Sequence, residues 1–170
     1  LVGSEMCIRD RVMHIGNGSE PQGLDPHIVT GVPEHHLLIT MCEGLTISNP
    51  EGGANLPGMA ESWYISEDGR TYIFNIRKDA KWSNGDDFTA EDIVWSWMRV
   101  LTPSLGSQYP DMLYYLVGAE DFNTGVITDF SKVGVKALDN KTLEVNLINP
   151  TPFFLGLLSH YSTWPVHKET

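Results

Sequence analysis

Residues 80–101 read AKWSNGDDFTAEDIVWSWMRVL, from Ala80 to Leu101, and pack three tryptophans, an Asn-Gly pair and a run of acids into 22 positions. The second half carries the marks of a helix start. Thr89 is a good N-cap, and Asp92 three residues later completes a capping-box pattern. Glu91 and Asp92 also set negative charge at the positive end of the helix dipole. Ile93, Val94, Trp97, Met98 and Leu101 then recur at helical spacing, and Pro103 marks the stop. Ahead of the cap, Asn84-Gly85 turns the chain, so Trp82 and Phe88 are expected to pack on either side of the turn. Burying Trp82, Phe88 and Trp97 contributes about 2–3 kcal/mol each. That is the weight of a structural corner between strand and helix, in which the acids cap and solvate.

Two hairpins of one design flank this helix. AESWYIS (60–66) and TYIFNIR (71–77) are strand-like runs joined by EDGR, whose Asp68-Gly69 suits a tight turn. Tyr72, Phe74 and Ile76 fall on one face of the second run. VGVKALDNKTLEVNL (133–147) repeats the scheme, with Asp139, Asn140 and Lys141 as the turn and Leu143, Val145 and Leu147 on one face. The expected fold class is therefore mixed, α+β, with antiparallel hairpins packed with helices and the 89–101 helix covering one side of the sheet.

The N-terminal third is plainer. MHIG (13–16) resembles a short strand that enters a punctuated loop, NGSEPQGLDPH. Gly16 and Gly18 do not open a dinucleotide fingerprint, because Pro21 stands where a third glycine is needed. From Pro33 to Leu45 the spacing predicts a helix with Leu37, Leu38, Met41, Cys42 and Leu45 as its apolar stripe. Residues 1–12, LVGSEMCIRDRV, show neither a signal pattern nor a convincing amphipathic one and resemble a translated adapter, so they are set aside from the fold. That leaves Cys42 alone, read as a small buried apolar residue and no part of a disulfide framework.

Composition excludes several functions. A net charge of -11 over 170 residues argues against nucleic-acid binding, since a polyanion is repelled. No apolar run has the length to span a bilayer. There is no GxSxG elbow, no P-loop and no HExxH, and the six histidines (14, 27, 35, 36, 160 and 167) make no metal-ligand spacing. Asp86-Asp87 and Glu91-Asp92 are adjacent pairs, whose carboxyls diverge rather than converge across a cleft. The residues thus suggest neither catalysis, nor a cofactor, nor a metal. NGS at Asn17 and NKT at Asn140 match a glycosylation pattern that is common by chance.

Taken in order, GSEPQGLDPH, GVPEHHLLITMCEGL, PGMAESW, FNIRKDAKWSNGDDFTAEDIVWSWMRVLTP, VGVKALDNKTLEVNL and PTPFFLGLLSHYSTWPV resemble the extracytoplasmic solute-binding proteins of ABC importers, family 5, most of all the oligopeptide-binding branch. The resemblance covers nearly everything from residue 13 to 170. It implies a fragment of a periplasmic binding protein of type II-like fold. Residues 13–43 would be the first segment of the large lobe and 44–170 the accessory lobe, with the rest of the large lobe and the opposing lobe missing, as is an export signal. It implies a peptide-capturing protein outside the cytoplasmic membrane, periplasmic or extracytoplasmic. Its partners would be an oligopeptide ligand and the permease subunits, and it would meet the membrane only through the permease or a missing anchor.

Two ligand contacts carry over by resemblance. Val32 in GVPE corresponds to a backbone contact, and Tyr109 in SQYPDM to a tyrosine lining the cleft; on their own they read as a pre-proline loop residue and a loop aromatic. Thr30 departs from the branch, which commonly carries an acid there, and so puts in doubt a preference for basic side chains. The alternatives are a dipeptide, nickel, haem or opine ligand on the same fold, or, from another class, an enzyme lobe or a purely structural domain.

Overall fold

The computed structural model describes residues 16–169. The expected leader at 1–12 and all but Gly16 of the expected MHIG strand lie outside these residues. The elements run as helix α1 (Val32–Met41), strands β1 (Thr46–Ile47), β2 (Leu56–Pro57), β3 (Ala60–Ile65) and β4 (Thr71–Ile76), helices α2 (Ala90–Leu101) and α3 (Ala119–Asn123), strands β5 (Val135–Asp139) and β6 (Thr142–Asn146), and helix α4 (Phe154–Leu157). Single 3-10 turns punctuate the loops, at Pro110–Leu113 and Tyr161–Thr163 among others.

Among the described residues β1 and β2 form a small antiparallel pair, and the main sheet has the order β3-β4-β6-β5, antiparallel throughout. Alternation decides which face is buried. Tyr72 stands opposite Val145 and Phe74 opposite Leu143, so the apolar sides of both hairpins coincide across the β4–β6 seam. All four are buried, together with Ile76 and Leu147. The Asp68-Gly69 turn forms as expected: Gly69 takes φ +68, and the Asp68 carboxylate accepts from the Arg70 N–H at 3.2 Å and the Ser66 hydroxyl at 2.6 Å. In the second hairpin Asp139 still pairs with Thr142, which leaves Asn140-Lys141 as the turn.

Helix α2 covers this face and packs along β5. The capping box is present: Thr89 Oγ1 accepts from the Asp92 N–H, and the Asp92 carboxylate accepts from the Thr89 N–H at 2.7 Å. Ile93, Trp97 and Leu101 are fully buried, whereas Val94 and Met98 are only half-buried and Ser96 and Val100 join the covered face instead. The face has rotated because a C-terminal segment lies across it. Trp97 Nε1 donates to the Thr163 carbonyl at 2.9 Å, and Ser96 Oγ accepts from the Val166 N–H at 3.0 Å. The aromatic corner is structural: Trp82 and Phe88 meet at 5.1 Å between centroids, with Phe88 buried and Trp82 half-buried. Trp82 Nε1 also reaches the cap acid, Asp92, at 3.3 Å.

The first helix corrects the sequence reading. It ends at Met41, and Cys42 is already extended at φ -125, ψ 161, so the chain leaves the helix before the end at Leu45 that the spacing predicts. The predicted stripe is not the buried face. Leu38 is buried, but Met41 is 57% exposed and Cys42 is exposed too; Leu45 is buried as the approach to β1, outside the helix. Position 34 takes the second inward place with a carboxylate: buried Glu34 accepts from the Gln22 N–H at 2.6 Å. The reason is that α1 lies on the surface, where Leu38 packs with Tyr161 and Trp164 and Glu34 takes the Gln22 N–H, while Ile39 and Met41 face outward.

Candidate functional site

The C-terminal run that crosses α2 also builds a small aromatic cluster beside α1. Leu38, Tyr161 and Trp164 form a buried core of their own, with Val29 and Tyr109 packed against it. Tyr109 is the half-buried residue leading into the Pro110–Leu113 turn, where Pro110 fixes the chain direction. Its ring meets His160 edge-on at 5.4 Å and Tyr161 edge-on at 6.3 Å. His160 lies over Tyr161 at 4.2 Å, and His35 from α1 approaches Tyr161 at 5.5 Å.

Two polar groups of this cluster, Tyr161 and His160, are held towards their neutral forms. Burial, then the neighbouring Tyr109 phenol and Glu34, push the Tyr161 hydroxyl up to about 12, and it donates to the Val29 carbonyl at 3.2 Å. It is therefore a donor, not a nucleophile, at any physiological pH. Burial, followed by the proximity of His35, holds His160 below the ordinary imidazole value despite Asp111. The Ser162 N–H donates to His160 Nδ1 at 3.3 Å, which puts the lone pair there and leaves Nε2 to carry the proton of the neutral ring. Aromatic edges and neutral donors of this kind suit stacking and hydrogen bonding to an uncharged backbone.

Val32 is the first residue of α1 and is 65% exposed. Both α1 and the Pro110–Leu113 turn pack on the Tyr161–Thr163 turn, so the structure brings the neighbourhoods of Val32 and Tyr109 to one place. Beside Val32, Thr30, Gly31, Val29 and Glu34 help to line a cavity of about 370 Å³. Sequence reasoning missed His160 and Tyr161 as neighbours of Tyr109, and His35 as a neighbour of Tyr161. They stand about fifty residues after Tyr109 or seventy before it, and no spacing rule links a loop tyrosine to such partners.

Among the described residues, no group of three or more His, Cys, Asp or Glu could hold a metal ion. No helix among them is long and apolar enough to cross a membrane.

The fold is that of the periplasmic binding proteins. OppA of Haemophilus influenzae, solved in complex with the peptide RPPGFSPFR, superposes with a TM-score of 0.84 at 40% identity, over 90% of this chain and 30% of that one. The unliganded, open form of MppA, a periplasmic murein tripeptide-binding protein, gives 0.82 at 35% identity, over 88% of this chain and 29% of that one. In sequence the chain is 46% identical to the periplasmic oligopeptide-binding protein OppA of Escherichia coli K12, over 89% of this chain and 28% of that protein. It is 40% identical to the oligopeptide-binding protein OppA of Bacillus subtilis 168, over 92% of this chain and 28% of that protein. The chain belongs to the bacterial extracellular solute-binding proteins of family 5, whose middle-region model matches residues 56–170. It spans a little over a quarter of the length of the curated relatives it matches.

Proposed function

We propose that this chain is the N-terminal part of an oligopeptide-binding component of an ABC importer, which captures peptides outside the cytoplasmic membrane and hands them to permease subunits. The observation that carries the reading is the sustained likeness, at 40–46% identity over about nine-tenths of the chain, to proteins named for oligopeptide binding. In this reading residues 13–43 begin the large lobe and 44–170 form the accessory lobe. The location is extracytoplasmic, and the chain binds rather than catalyses.

Val32 and Tyr109 are the proposed ligand contacts. Val32 offers exposed backbone at the start of α1, and Tyr109 offers a half-buried ring already stiffened by His160 and Tyr161. A peptide held through its main chain between two lobes gains affinity when the lobes close over it. The test is paired calorimetry with short mixed peptides on the 170-residue chain and on the protein extended to the length of its relatives. Micromolar binding by the longer protein supports the reading. Uptake of nickel or haem in place of peptides would overturn the ligand assignment.

A further inference from the structure

A second constellation, away from Tyr109, joins three separate parts of the chain through one buried imidazole. His27 is 1% exposed. Its Nε2 lies 2.8 Å from the Trp164 carbonyl, and its Nδ1 lies 2.8 Å from Nη1 of Arg99 on α2. A carbonyl can only accept and a guanidinium can only donate. The ring must therefore be neutral, with its proton on Nε2 and its lone pair on Nδ1. Arg99 in addition grips Asp25 with both terminal nitrogens, and the Asp25 carboxylate accepts from the His27 N–H at 3.0 Å. The loop at 25–29, the last turn of α2 and the C-terminal segment at Trp164 thus meet at His27.

We propose that His27 is an acid-release latch: protonation of its Nδ1 breaks the contact with Arg99 and loosens the 25–29 loop against α2 and the C-terminal segment, leaving it to the Asp25–Arg99 pair and the Tyr161–Val29 bond. A proton on Nδ1 turns the acceptor into a donor that faces a guanidinium donor, and it puts a second cation against Arg99 in a buried site. The charged groups that face the ring are Asp25 from its own loop and Arg99 from α2, and the C-terminal segment presents the Trp164 carbonyl to it. Cys42 and His167 line the adjoining cavity with Asp25 and Arg99.

Desolvation, followed by Arg99, depresses His27 to about 4 against the Trp164 carbonyl and Asp25, which work in the opposite sense. Burial pushes the Asp25 carboxyl up, but Arg99 and the His27 N–H outweigh it, so Asp25 sits below its ordinary value and stays ionised through the interval that matters. The freed loop takes up a proton near 6.5 and the docked loop only near 4. Docking is thus fully favoured at neutral pH and weakens as the pH falls from 6.5 towards 4.

The experiment is amide hydrogen exchange on the 170-residue chain at pH 7 and pH 4.5, expressed as protection factors. The reporters are His27, Ile28 and Val29, whose N–H groups bond back to Asp25, with Phe74 and Leu143 in the sheet as controls. Protection at the reporters should drop roughly 50–100-fold at pH 4.5 while the sheet holds, as the two titration points imply. His27→Gln, which cannot titrate in this range, should abolish the difference between the two pH values. Unchanged protection at pH 4.5, or equal loss in loop and sheet, overturns the latch. Should His27→Gln fail to fold, the imidazole ¹⁵N shifts of the wild type, read beside loop protection, decide: ring protonation only below its ordinary range together with loss of loop protection upholds the proposal, and ring protonation that leaves loop protection unchanged overturns it.

Discussion

Trp97 shows how one side chain serves two ends. Its indole is fully buried under the sheet and its N–H closes the Thr163 carbonyl. Trp97→Ala should cost about 3–5 kcal/mol through lost burial and the cavity left behind, measured by urea unfolding. Gly44 is constrained differently, by space. A Cβ there would stand 2.4 Å from Trp164 Nε1 and 2.6 Å from the Leu158 carbonyl. Gly44→Ala should therefore lower the melting temperature, and it should disturb the near-ultraviolet signal of Trp164. Cys42, read from its sequence as buried, is exposed. With Cys7 changed to Ser, native protein should react with a water-soluble thiol reagent without prior unfolding; a refractory thiol would contradict the exposed position.

At the scale of elements, α2 is specified from both ends. The reciprocal bonds between Thr89 and Asp92 close its N-terminus, and Thr89→Ala should cost about 1 kcal/mol by chemical denaturation. The hairpins were equally legible. An alternating strand with one apolar face has a single register that buries that face, and an Asp-Gly pair fits the turn without strain. Helix α1 was legible in its start, within a residue of Pro33, but not in its end or its buried face, because Leu37, Met41 and Cys42 obey helical spacing but lack a surface to cover them. Its contact with the rest is set by the Tyr161 turn, more than a hundred residues away. The rotation of the α2 face towards Ser96 and Val100 has the same origin, since Val166 is what Ser96 meets.

For the whole molecule, the prediction concerns affinity. A single lobe presents an open face, on which the entropy lost by a flexible peptide is poorly offset. The 170-residue chain should bind tri- to pentapeptides no tighter than about millimolar, a free energy of about -4 kcal/mol. In the longer protein Tyr109→Ala should weaken binding by about 1–2 kcal/mol, as a useful but non-dominant contact. Calorimetry on both chains separates the cases: micromolar binding by the short chain would place the whole site within it.

Local chemistry was enough to specify the capped helix, the two hairpins, their inward faces and the aromatic corner at Trp82 and Phe88. Each of these depends on residues close in sequence, at most 16 positions apart for Ala60 and Ile76 in the first hairpin, where period, cap and turn chemistry act directly. The motif order was also enough to point to the solute-binding family. What only the tertiary structure decided are the meetings of distant segments. Tyr109 acquires His160 and Tyr161, Glu34 rather than Met41 turns inward, and His27 closes on Arg99 and Trp164 across intervals of 72 and 137 residues. Such contacts leave no periodic trace, because the partner that makes a polar group worth burying is supplied by the fold and not by its neighbours in the chain.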